Sequence, residues 1–173
     1  MDSKRTASLH QFETSCDVEK RWAPVLDAWL GEHYELRVAT PDQQWRGIDR
    51  IAWDRDGEHR IDYKCDEQWH KYGNVFLETV SNAQTGRPGW AMTSEADWLL
   101  YFLTPSTVLV CRMARIRAML PRWRCAGYPV RSAKNQGYET FGLCVPVPVV
   151  SAVAEYDADP TFDAAILECR DDR

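Results

Sequence analysis

Residues 47 to 66, GIDRIAWDRDGEHRIDYKCD, constrain the fold more than any other stretch of the chain. Ile48, Ile51, Ala52 and Trp53 lead into Asp56-Gly57, and Ile61 and Tyr63 lead out of it. Gly and Asp tolerate the positive φ that a two-residue hairpin loop uses, so two antiparallel strands are predicted, with Asp56 and Gly57 as the loop. That loop sets Arg55 opposite Glu58, Trp53 opposite Arg60, Ile51 opposite Asp62 and Asp49 opposite Lys64. Cross-strand partners share a face, as do residues two apart on one strand. Asp49, Asp62 and Lys64 therefore project from one side, and a loop longer by one residue would turn Asp49 to the other. Two carboxylates beside an ammonium make a cation site with a base or charge stabiliser next to it. An ordinary hairpin with its charges in water is the alternative that the pattern leaves open.

Asp49, a turn, then Asp62-Tyr63-Lys64 resembles the D…(D/E)-x-K signature of the PD-(D/E)xK nuclease superfamily, the group with restriction-endonuclease-like and Holliday-junction-resolvase-like cores. In that family the first Asp begins the second strand of a mixed sheet and the (D/E)-x-K lies on the third. Gly47-Ile48 stands where a proline often precedes the Asp. The resemblance implies an α+β fold with a central mixed β-sheet flanked by helices, and residues 1–173 as a single nuclease-like domain. It implies hydrolysis of phosphodiester bonds with Mg2+ or Mn2+, in DNA more than in RNA. Asp49 and Asp62 would be metal ligands, and the Tyr63 carbonyl would complete the shell. Lys64 would orient the attacking water or stabilise the charged pentacovalent species. Several relatives bring an acid from their first helix to the metal, which here would be Glu19. Glu78 would be a further ligand, direct or through water. Gln68 and Tyr72 match the spacing of a QxxxY motif found in one branch of the superfamily.

The flanking sequence has its own pattern. From about Gln11 to His33, Val18, Trp22, Val25, Leu26, Trp29 and Leu30 recur at helical intervals, with Pro24 as a kink and residues 1–10 frayed. Glu19 sits at the edge of that stripe, where a head in water competes with a functional role. Residues 34–40 alternate like a strand and 41–46 read as a loop. Residues 74–82, NVFLETVSN, read as a strand that returns beside the hairpin. Glu78 stands there between Phe76 and Val80, which costs stability unless it is liganded or hydrogen-bonded. Residues 83–96 read as a loop over a substrate groove, carrying Arg87 and Trp90. Residues 97–103 and 107–111 read as buried strands joined by a turn, and 112–124 as a helix. Residues 127–137 read as an extended loop, 140–150 as an edge strand because of Pro146 and Pro148, and 160–168 as a short helix before an acidic tail.

Charge separates along the chain. The net charge is −5, yet residues 98–138 hold no Asp or Glu. Arg112, Arg115, Arg117, Arg122 and Arg124 fall in this basic helix and loop, with Arg131 and Lys134 beyond. Such a surface binds phosphate backbones through bidentate hydrogen bonds and counterion release, and Trp123 and Tyr128 are candidates to stack on bases. Pairing with the acidic tail or with another subunit is the competing explanation.

No apolar run approaches the roughly 20 residues that span a bilayer, and the N-terminus has no apolar signal core, so no membrane partner is expected. Six cysteines are scattered without zinc-finger spacing, which reads as reduced, mostly buried thiols of a cytoplasmic protein. The leading expectation is a Mg2+-dependent endodeoxyribonuclease with DNA as partner and a homodimer left open. A non-cleaving nucleic-acid binder, nuclease inhibitor or subunit on the same scaffold is the alternative, and an unrelated α+β protein a third.

Overall fold

A computed structural model describes residues 3–66, 69–135, 137–154 and 166–168, with the backbone alone for 3–17, 154 and 166–168. In chain order the elements are α1 (Ser3–His33), β1 (Glu35–Val38), α2 (Pro41–Trp45), β2 (Arg50–Asp54), β3 (Gly57–Cys65), α3 (Trp69–Tyr72), β4 (Asn74–Asn82), β5 (Arg87–Pro88), α4 (Trp90–Thr93), β6 (Trp98–Phe102), β7 (Thr107–Arg112), α5 (Met113–Cys125), β8 (Val130–Asn135), β9 (Tyr138–Pro146), α6 (Val147–Ala154) and β10 (Ile166–Glu168). The fold is α+β, with a central mixed sheet flanked by helices. Its strand order is β1-β2-β3-β6-β7-β10, antiparallel throughout except for the parallel pair β3–β6.

The two faces of this sheet explain the layering. Ile61, Tyr63, Trp98, Leu100, Phe102, Val108 and Val110 pack with Ala23, Leu26 and Leu30 of α1. Leu99, Tyr101, Leu109 and Cys111 point the other way, into a core shared with α5, α6 and a second, antiparallel sheet ordered β5-β4-β9-β8. A strand buried on both faces reads as a continuous apolar run. WLLYF of β6 is such a run, with all five residues buried.

That difference corrects the expected place of 74–82. This segment is β4, but it pairs with β5 and β9 in the second sheet, while β6 takes the free edge of β3. Only Val75 and Leu77 of β4 are buried, so it suits an outer layer rather than the sheet centre.

Smaller corrections have local causes. Residues 41–46 contain α2, closed by a capping box in which Thr40 Oγ1 accepts from Gln43 N and the Gln43 side chain accepts from Thr40 N. Residues 83–96 contain β5 and α4. The expected loop 127–137 contains β8, whose residues are exposed apart from Asn135 and so lack an apolar alternation. β9 lies between β4 and β8 rather than at an edge, Pro146 is its last residue, and Pro148 falls in the first turn of α6, where no N–H is needed. α1 starts at Ser3, and neither Pro24 nor Pro121 ends its helix. Residues 166–168 form a strand on β7, not a helix. Gln68, residues 160–165 and the acidic tail lie outside the described residues. Cys111 is buried, but Cys125 is exposed and Cys65 and Cys144 are half-buried. Among the described residues no helix is long and apolar enough to cross a membrane.

Candidate metal and catalytic site

The hairpin forms with its loop one residue earlier than the sequence suggests. Asp54 pairs with Gly57, so Arg55 and Asp56 are the loop residues. Asp54 Oδ1 accepts from the N–H of Asp56 at 2.8 Å and of Gly57 at 3.1 Å, which closes the turn with a side chain. Gly57 alone of the three takes a positive φ, 134°. The register therefore slides by two residues, and Ile51 faces Arg60 rather than Asp62. A slide of two preserves the face of every side chain, because the strand period is two. One step beyond the Arg50–Ile61 pair, Asp49 stands opposite Asp62, with its N–H bonded to the Ile61 carbonyl at 2.8 Å.

Asp62 is fully buried and Asp49 half-buried. The Tyr63 N–H donates to Asp49 Oδ2 at 2.8 Å and fixes that carboxylate. Lys64 Nζ binds Asp62 Oδ1 and donates to the Tyr63 carbonyl at 2.8 Å. The carboxyls of Asp49 and Asp62 come within hydrogen-bond reach of one another. Among the described residues no donor reaches Asp62 Oδ2. Two facing carboxylates without an N–H or O–H between them need a shared proton or a cation. Burial pushes the Asp62 carboxyl up to about 7; the Lys64 ammonium pulls it down and the Asp49 carboxylate pushes it up further. Lys64 is half-buried, and its desolvation favours the neutral amine, but Asp62, Asp49 and Glu19 outweigh this and raise its pKa, so the lysine stays charged.

Glu19 arrives from α1. Burial raises its carboxyl to about 7, against the pull of Lys64, with Asp49 adding to the rise. The helix is held in place two turns further on. Arg50 donates to both carboxylate oxygens of Asp27 at 2.8 Å, and the Tyr63 hydroxyl donates to Asp27 Oδ1 at 2.9 Å. Tyr63 thus grips α1 with its hydroxyl and Asp49 with its backbone.

Glu78 reaches the site from the second sheet. Its Oε1 accepts from the Trp90 N–H at 3.4 Å, burial raises its pKa, and Lys64 and Arg87 favour its charged form. Lys64 Nζ lies 5.7 Å from the Trp90 ring centroid, so the ammonium sits between the acid pair and α4. The sequence therefore brings Asp49, Asp62, Lys64 and Glu19 together, with Glu78 beyond the lysine. The Tyr63 carbonyl assigned to a metal shell is engaged by Lys64. Among the described residues no three His, Cys, Asp or Glu side chains are grouped closely enough to hold an ion. Trp90 comes from the segment 83–96 expected to lie over a substrate groove. Asp27 and Arg50 join the site without a sequence pattern that marks them: one is a stripe-edge acid, the other one arginine among many.

The arginines divide into two groups. Arg115, Arg122 and Arg124 are exposed on α5, and Arg131 and Lys134 are exposed on β8. Arg112 stacks its guanidinium 4.0 Å from the Trp98 ring centroid, and Arg117 donates to the Ser94 carbonyl. Trp123 is buried in the core and Tyr128 packs half-buried against it, so Trp123 is not a stacking platform. Trp45 on α2 is 77% exposed, with Arg87 5.8 Å from its ring centroid. Comparison with protein-family models, curated proteins and solved structures finds no match to the chain.

Proposed function

We propose that the chain is a metal-dependent nuclease of the PD-(D/E)xK type that hydrolyses phosphodiester bonds in DNA. The observation that carries this reading is Asp62 Oδ2, a buried carboxylate oxygen facing Asp49 with no donor among the described residues. Its position agrees with the family pattern. Asp49 immediately precedes the second strand of the mixed sheet, and Asp62-Tyr63-Lys64 lies on the third.

The donor set suits a hard divalent cation, Mg2+ or Mn2+, which keeps several waters when few carboxylates bind it. Bound there, the ion would lower the pKa of a water and neutralise the scissile phosphate. Asp49 and Asp62 would hold it, while Glu19 and Glu78 are placed to act through water. Lys64, kept charged by its acids, orients the nucleophile or stabilises the phosphorane charge. The exposed Arg115, Arg122 and Arg124 supply backbone contacts for DNA. The same reading sets the protein in the cytoplasm, where its thiols stay reduced.

Incubation of plasmid, linear and branched DNA with Mg2+ or Mn2+ tests the assignment. Cleavage is expected from the native chain and not from Asp62→Ala or Lys64→Ala. Activity that survives both substitutions removes it.

One observation favours a second reading. Lys64 already occupies Asp62 Oδ1 and the Tyr63 carbonyl, so the acids have an internal cation. A non-cleaving DNA-binding protein on this scaffold would show salt-sensitive binding lost on Arg115 and Arg122 substitution and indifferent to Asp49→Asn.

A further inference from the structure

A cavity of about 420 Å3 lies among α4, the segment before β6 and the start of α5. Arg60, residues 92–97, Arg112, Ala114 and Arg117 line it. Arg60, which lines the cavity, and Asp62 lie two residues apart on the same face of β3, about 7 Å along the strand. Ser94 ties the two places together: its Oγ donates to the Gly47 carbonyl at 2.9 Å, two residues before Asp49, and its carbonyl accepts from Arg117.

Both carboxylates that line this cavity are already engaged. Asp97 is saturated by Arg60, which reaches it through its backbone N–H at 3.0 Å, Nε at 3.0 Å and a terminal nitrogen at 2.8 Å. Glu95 is engaged by Arg46 at 2.9 Å. Arg117 has no carboxylate within ion-pair distance among the described residues, and its Nε is buried without an acceptor. A guanidinium with a desolvated, unused N–H costs free energy that an incoming anion would recover as a charge-assisted bond. Arg112 also lines the cavity, with its guanidinium 4.0 Å from the Trp98 ring centroid.

We infer that the cavity walled by Arg112 and Arg117 binds a phosphoryl group, and that on a DNA strand this is a phosphodiester within a step or two of the one cleaved. The second half of this inference rests on the nuclease reading; the first does not. A strand carries one phosphate per roughly 3.4 Å of rise, so the roughly 7 Å of β3 between Arg60, which lines the cavity, and Asp62 corresponds to about two nucleotides. The fork of an arginine matches a phosphate group bidentately.

Two measurements on the full chain test it. The first follows thermal unfolding against inorganic phosphate without divalent ions. The native chain and Asp49→Asn should gain melting temperature together, while Arg117→Gln and Ala114→Glu should gain little. Ala114 is exposed, so its replacement sets an acid at the cavity mouth without disturbing the core. An equal phosphate response in the native chain and both cavity variants overturns the site, whether or not the protein cleaves DNA. The second uses Mg2+ and oligonucleotides with a single neutral methylphosphonate linkage walked along the strand, with and without a terminal phosphate. One neutral linkage near the cleaved bond should raise KM about tenfold for the native chain and leave Arg117→Gln unmoved, with kcat changed by less than about threefold. A penalty that follows the terminal phosphate instead assigns the cavity to a strand end and overturns the internal-phosphodiester half. Absence of cleavage with any divalent ion ends the nuclease reading and that half with it, while the phosphate titration still decides the site.

Discussion

Asp49 and Asp62 face each other across the hairpin with their carboxyls in hydrogen-bond reach, and only Asp49 has a backbone donor, the Tyr63 N–H. Asparagine at position 49 would complete this arrangement. Its carboxamide oxygen can keep the Tyr63 bond, and its N–H2 can supply Asp62 Oδ2 with the missing donor. Asp49→Asn is therefore expected to stabilise the metal-free protein by about 1–2 kcal/mol, while weakening divalent-ion binding. Urea unfolding in EDTA and a Mn2+ titration measure the two effects. A destabilised variant would show that the pair does not lack a donor.

The pH dependence follows from the same acids. Asp62 and Glu19 rise to about 7 from ordinary values of 3.8 and 4.5. A carboxyl whose folded pKa is raised binds its proton more tightly in the folded state. Its contribution is complete below about pH 4 and is lost as pH climbs through about 7. Metal-free stability should therefore fall between about pH 4 and pH 7, by an amount on the order of a few kcal/mol. Asp97 works in the opposite direction: Arg60 holds its carboxyl low, so acid below its ordinary 3.8 weakens that pair. Mg2+ competes with the protons on Asp62 and Glu19, so its stabilising effect should grow as pH rises past 7. Melting curves from pH 4.5 to 8.5 with and without Mg2+ would reveal this. A flat metal-free profile across that range would contradict the raised acids.

How much of this is legible in the sequence depends on the range of the forces involved. The faces of Asp49, Asp62 and Lys64 are readable even with the loop set one residue late, because a two-residue slide leaves strand faces unchanged. The Glu19 stripe is readable from helical spacing. The partner of β4 is not, since β6 and β4 both read as strands and only two-sided burial of Trp98–Phe102 decides which one fills the sheet centre. β8 escapes detection because an exposed strand has no apolar alternation. The inward turn of Arg117 cannot be read either. It depends on the Ser94 carbonyl, 23 residues away in sequence and brought near by the packing of α4 on α5.

Asp27 tests whether the helix places Glu19. It accepts two bonds from Arg50 and one from Tyr63, and joins α1 to β2 and β3. Asp27→Ala leaves the half-buried Arg50 guanidinium without its acid and the Tyr63 hydroxyl without an acceptor. A loss of about 2–4 kcal/mol is expected, and if the nuclease reading holds, kcat should fall more than binding of DNA. Asp27→Asn can retain the Tyr63 bond and should lose less. Urea unfolding of both variants measures the first effect, and cleavage rates at saturating DNA the second. Wild-type stability in Asp27→Ala would remove the anchoring role.

Gly89 and Gly31 form a contrast that isolates the packing of α4. A Cβ on Gly89 would lie 2.4 Å from the Glu78 carbonyl oxygen, 2.6 Å from its carbon and 2.7 Å from the Glu78 Cγ. The backbone of β4 cannot give way, so α4 must move, carrying Trp90 away from Lys64 and its N–H away from Glu78 Oε1. The φ of Gly89 is −84°, an ordinary value, so the cost is steric rather than conformational. Gly89→Ala is expected to destabilise by about 1–3 kcal/mol and to speed hydrogen exchange at the Trp90 amide. A methyl group added at Gly31, within α1, would meet nothing within 4 Å, and Gly31→Ala should stabilise by about 0.5–1 kcal/mol through helix propensity alone. If both variants unfold at the same urea concentration, α4 does not rest on Glu78, and the link from the second sheet to Lys64 is lost.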